Sequence, residues 1–83
     1  MEQIVRTPRQ LGEALKRYRR KLGLNQTELG AKTKLRQATI STVEAGEPGT
    51  QIGTLCDVLA ALHLELVLRP RTTSSADEIE DIF

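Results

Sequence analysis

Apolar residues recur along this chain at helical spacing as far as His63 and at every second position after it. Leu11, Ala14, Leu15, Tyr18 and Leu22 share one helical face, while Lys16, Arg17, Arg20 and Lys21 lie largely off it. Thr7 can cap this first helix. Pro8 at its first position forfeits no needed hydrogen bond, and Gln10 can reach back from three residues after the cap. Gly23 predicts the end. Asn25 and Glu28 form a capping pair for a second, short helix running through Leu29 and Ala31 to about Thr33. Lys34 and Leu35 link it to a third, from about Gln37 to Ala45, whose large apolar residues are Ile40 and Val43. Gly46 closes that helix, and Pro48 and Gly49 make a loop. A fourth helix is expected to start near Thr50 and to bury Ile52, Leu55, Leu59 and Leu62, with Val58 beside them and Cys56 as a small core residue.

Beyond His63, Leu64, Leu66 and Leu68 alternate with Glu65, Val67 and Arg69 until Pro70, which reads as a short strand. A lone strand leaves its backbone groups unpaired. The partner is either the N-terminal segment at residues 3–6 or a second copy of the chain, and the second copy is favoured.

Composition changes this picture in three ways. At 83 residues the chain is one domain at most, with a small core that dimerisation would help. No apolar run approaches the ~20 residues that span a bilayer, and MEQIVRTPRQ lacks the apolar stretch of a signal peptide, so a cytoplasmic protein is expected. The net charge of +1 hides an asymmetry: residues 1–71 hold all 12 Lys and Arg against seven acids, whereas residues 72–83 hold four acids and no base. A basic body suits a polyanion and an acidic tail suits something else, although both could be merely solvated surface. Residues 1–71 are accordingly read as the domain and 72–83 as an acidic tail.

Catalytic chemistry finds little to work with. One His, one Cys and no Gly-rich phosphate loop assemble no nucleophile and base, so no enzyme, cofactor or metal site is expected. His63 reads as a capping or surface residue. The third helix is more informative. With Ile40 and Val43 defining its inward direction, Ala38, Ser41, Thr42 and Ala45 point outward and Gln37 sits at the edge of that face. Exposed helices ordinarily carry Glu and Lys there, whereas a helix entering the DNA major groove needs a slim profile, hydroxyl and amide groups, and no carboxylates. An undecorated exposed helix would look similar.

The string Gly23-Leu24-Asn25-Gln26-Thr27-Glu28-Leu29, then Gln37-Ala38-Thr39-Ile40-Ser41 and Glu44-Ala45-Gly46, resembles the helix-turn-helix of lambdoid phage repressors and related Xre-type regulators. Within that class the RQATIS segment, the Leu-rich fourth helix leading into a strand, and the acidic tail resemble the HipB-type antitoxins. The fold class implied is mainly α: a four- to five-helix lambda-repressor-like domain with one short C-terminal β-strand paired across a homodimer.

The resemblance also implies roles. Gln26, with Thr27 beside it, matches the start of the second helix that meets the phosphate backbone. Arg36 and Gln37 open the recognition helix, where Arg can read guanine and Gln adenine. Ala38, Thr39, Ser41 and Thr42 match further groove-facing positions, Thr39 equally well a packed flank. Basic residues of the first helix and Lys32 would add sequence-blind affinity. Arg19 and Glu44 match a pair bridging the first and third helices. Leu64, Leu66 and Leu68 would carry dimerisation.

The implied function is a repressor of its own operon, acting on a palindromic double-stranded DNA operator as the antitoxin of a HipA-like serine/threonine kinase. Ile79, Ile82 and Phe83 in the tail are candidate contacts to that kinase, or else belong to a solvated tail or a protease-sensitive tag. The alternative function is an Xre-type prophage or operon repressor without a toxin partner. Relatives usually carry a small residue such as Ala at the position of Gly30, an aliphatic residue at Thr33 and Gly at Lys34. Lys34 is therefore expected to accept a positive φ.

Overall fold

The computed structural model describes residues 3–71. Four helices follow one another: α1 (Pro8–Lys21), α2 (Gln26–Thr33), α3 (Gln37–Glu44) and α4 (Ile52–Ala61). Their starts follow the local signals. The Thr7 hydroxyl accepts from the Gln10 N–H at 3.1 Å, and the Gln10 side chain reaches back to the Arg6 N–H at 2.7 Å. Asn25 and Glu28 complete a reciprocal capping box, at 2.7 and 2.9 Å.

All four helices end on a residue in the left-handed region: Gly23, Lys34, Gly46 and His63. Each end closes with a backbone bond spanning five residues, from Leu24 to Arg19, Leu35 to Gly30, Glu47 to Thr42, and Leu64 to Leu59. His63 thus fills a capping position. The Thr33 hydroxyl lies 3.0 Å from the Leu29 carbonyl oxygen and 3.1 Å from that of Gly30, and it accepts from the Leu35 N–H at 3.3 Å. It thereby ties down the turn in which Lys34 adopts φ 60°. A Cβ on Gly30 would stand 2.7 Å from the Leu35 carbonyl oxygen, so the same turn leaves no room for a larger residue.

The core is Leu15, Leu29, Ile40, Val43, Val58, Leu59 and Leu62, with Leu11, Tyr18, Leu35, Leu55, Ala61 and Leu64 packed around it. α1 crosses the end of α3 so closely that a Cβ on Gly12 would lie 2.5 Å from the Glu44 carbonyl oxygen and 2.8 Å from that of Val43. Three expectations about burial need correcting. Ile52 is 70% exposed because α4 begins there, two residues later than expected, and its first turn overhangs the core. Cys56 is exposed, turned away from the Leu55, Val58 and Leu62 side of the helix. Leu22, at the end of α1, is 48% exposed.

The expected strand is the main departure. Residues 64–71 carry no strand, and none occurs among the described residues. Leu64 packs on the core, but Leu66, Val67 and Leu68 are 51, 69 and 99% exposed. The physical reason is that a strand exists only through its partner's backbone, and residues 3–6 do not supply one. A groove of about 940 Å³ opens instead, lined by Ile4, Val5, Leu11, Leu55, Leu66 and Leu68 among others. Ile79, Ile82 and Phe83 lie outside the described residues. No described helix is long and apolar enough to cross a membrane.

Candidate nucleic-acid interface

α3 is anchored by Ile40, fully buried, and Val43, 5% exposed. That anchoring leaves Ala38, Ser41, Thr42 and Ala45 on its exposed side, with Arg36 and Gln37 exposed at its start. Thr39 is half-buried. The helix has one carboxylate, Glu44, and it is turned inward at 7% exposure. The outward face therefore carries hydroxyl and methyl groups and no acid, a profile that neither repels phosphates nor fills a groove. The Thr42 hydroxyl donates to the Ala38 carbonyl of its own helix at 2.9 Å, which leaves its oxygen free to accept. Unlike α1 and α2, α3 has no side-chain cap, and Arg36 occupies that position with its guanidinium uncommitted to the helix end.

Glu44 is held from the other side. Arg19 on α1 donates to it through Nε at 2.6 Å and Nη2 at 3.0 Å, while Nη1 donates to the Leu24 carbonyl at 2.8 Å. Both side chains are over nine-tenths buried. The hydrogen bond to Glu44 raises the Arg19 pKa above its ordinary value, and the Coulombic attraction adds to it against the opposing effect of burial. The pair is an ion pair joining α1 to α3.

From Glu44 the bonding continues outward. Gln26 Nε2 donates to Glu44 Oε1 at 3.1 Å, and Gln37 Nε2 donates to Gln26 Oε1 at 2.7 Å. The first residue of α2 and the first of α3 are thereby tied to each other and to the buried ion pair. Sequence reasoning paired Arg19 with Glu44 and placed Gln26 and Gln37 separately on the surface. It missed the bridge from Gln26 to Glu44, because these residues lie 18 positions apart and only the crossing of α2 and α3 brings them together. Thr27 is exposed one residue further into α2, and Lys32, Lys34 and Arg36 are exposed in and around the turn. Among the described residues no group of three potential metal ligands occurs.

Residues 10–71 match the helix-turn-helix domain family. Antitoxin HipB of Escherichia coli strain K12 is 33% identical over 78 residues, covering 94% of this chain and 89% of that protein. This chain belongs to the HipB antitoxin family. Its fold agrees with solved HipB structures. A complex of a serine-to-alanine HipB variant with an O2 20mer superposes with a TM-score of 0.81 at 33% identity, covering 87% of this chain and 100% of the other. A HipA-HipB-O2-O3 complex gives 0.79 at 34% identity, covering 86% of this chain and 100% of the other. What HipB family members share with this chain is therefore the whole four-helix arrangement, including the helix pair that positions Gln26 and Gln37.

Proposed function

We propose that this chain is a homodimeric, sequence-specific DNA-binding repressor that controls its own operon as the antitoxin of a HipA-like serine/threonine kinase. The observation that carries the reading is the acid-free outward face of α3, opened by Arg36 and by a Gln37 tethered to Gln26. In this account Gln26 and Thr27 meet the phosphate backbone at the start of α2, where helix N–H groups and dipole favour an anion. Arg36 reads guanine and Gln37 reads adenine, each through two hydrogen bonds. Ala38 touches a thymine methyl, and Thr39, Ser41 and Thr42 complete the contact.

Dimerisation falls to residues 64–68. Leu66, Val67 and Leu68 are exposed beside an open apolar groove, and a second copy pairing its own segment there would supply the missing backbone partners and cover the leucines. Two recognition helices would then face a palindrome, its half-sites one or more helical turns apart. The relation to HipB, which occurs with HipA in a solved complex, supports a HipA-like kinase as the protein partner. Ile79, Ile82 and Phe83 are proposed as its contacts, since apolar side chains among acids suit a peptide bound in a basic-rimmed groove.

The deciding experiment is a footprint on the DNA upstream of the chain's own reading frame, with and without the candidate kinase. Protection of a palindrome, and a larger assembly on adding the kinase, are expected. Protection without any kinase complex would leave a repressor of the same fold with no toxin partner. Deleting residues 72–83 should weaken kinase binding and spare the footprint.

A further inference from the structure

The tether between the two glutamines has a direction, and that direction is imposed from the interior. A carboxylate can only accept hydrogen bonds. Glu44, gripped by Arg19, therefore forces Gln26 to turn its NH2 group inward, and Gln26 Nε2 indeed lies 3.1 Å from Glu44 Oε1. The outward end of the Gln26 amide is then its carbonyl, which can only accept. Gln37 must meet it with NH2, as the 2.7 Å contact between Gln37 Nε2 and Gln26 Oε1 shows. One N–H and the whole carbonyl of Gln37 remain, on an exposed side chain at the start of α3.

We propose that Arg19 and Glu44 are positioning residues for base recognition, fixing through Gln26 which end of the Gln37 amide donates and which accepts. The proposal rests on the reading of α3 as a DNA-recognition helix and deepens it. Adenine presents an acceptor at N7 and a donor at N6, which the remaining N–H and the carbonyl of Gln37 match. Guanine presents two acceptors, so its O6 would face the Gln37 carbonyl and be repelled. A glutamine free to rotate about its last bond offers either pattern; the relay from the ion pair removes that freedom.

Glu44→Gln should loosen the relay. Glu44 Oε1 accepts from both Arg19 Nη2 and Gln26, and Oε2 from Arg19 Nε, whereas an amide has one oxygen and must set its NH2 against an Arg19 donor in either orientation. The direction of Gln26 is then no longer imposed, and Gln37 regains both orientations. Gln26→Met removes the relay and leaves the ion pair in place, so Gln37 regains both orientations.

The test begins with selection of the wild-type protein's preferred sequence from a randomised duplex pool. Affinities are then measured for that duplex and for its single-base substitutions, using wild type, Gln37→Ala, Gln26→Met and Glu44→Gln. Gln37→Ala should erase the base preference at one position of each half-site. At that position Gln26→Met should lower the adenine-over-guanine ratio on the order of tenfold, and Glu44→Gln should lower it in the same direction. Loss of a phosphate contact by Gln26 lowers affinity for all duplexes alike, so the ratio reports the relay alone. If Gln26→Met keeps the wild-type ratio while Gln37→Ala erases the preference, the relay is overturned and DNA readout stands. If Gln37→Ala changes no base preference, the reading of Gln37 fails and the relay with it. Should Glu44→Gln not fold, as judged by its circular dichroism, Gln26→Met decides.

Discussion

Arg19 grips Glu44 with two nitrogens, at 2.6 and 3.0 Å, and the pair ties α1 to α3 through a buried ion pair. Removing one member strands the other charge in the interior. Arg19→Met should cost about 3–5 kcal/mol in urea unfolding, a large share of the stability of so small a domain. Replacing both, as Arg19→Met with Glu44→Leu, should recover much of the loss, because no lone buried charge remains.

Gly12 allows α1 to lie against the last turn of α3. Gly12→Ala places a methyl 2.5 Å from the Glu44 carbonyl oxygen, a backbone atom with little room to yield, and should destabilise by about 1–3 kcal/mol. Gly53→Ala, in α4 with nothing within 4 Å of the new Cβ, should instead raise the melting temperature through a gain of about 0.5–1 kcal/mol.

Lys34 ends α2 at φ 60° and ψ 27°, a conformation that costs an L-residue about 1–2 kcal/mol. Lys34→Gly should therefore stabilise the protein in thermal unfolding, by about 1 kcal/mol after the added entropy of the unfolded chain is counted. The same substitution at His63, also at φ 60°, should act in the same direction.

If residues 64–68 pair between two copies, successive N–H groups point to opposite edges of the segment. Proline at one of two adjacent positions should then break the dimer and at the other should not. Leu66→Pro and Val67→Pro, compared by sedimentation at matched concentration, should differ in this way. Equal dimerisation of both variants would place the dimer contact elsewhere.

The helices and most of their ends were legible in the sequence because the signals are local: Thr7 with Gln10, Asn25 with Glu28, and Gly23 and Gly46 at the closing turns. The buried and exposed sides of α3 were legible because Ile40 and Val43 are its only large apolar residues. Ile52 misled because periodicity shows which side of a helix a residue occupies and not how far the core extends along it. Cys56 misled through its sequence neighbours. The strand expected near Leu66 is absent because alternation alone does not make a strand without a partner's backbone, which residues 3–6 do not supply, and Leu66 and Leu68 are left exposed. Of the candidate site, the residue types were legible. Their bonding was not, since Gln26, Gln37 and Glu44 meet only when α2 crosses α3.

The central claim is that α3 reads bases through its first residues, and a footprint of the Arg36→Ala, Gln37→Ala double variant on the chain's own operator tests it most directly. Each lost base contact should cost on the order of 1–3 kcal/mol, so the specific footprint should vanish while salt-sensitive binding to unrelated duplex persists. A footprint with unchanged position and affinity would contradict the account.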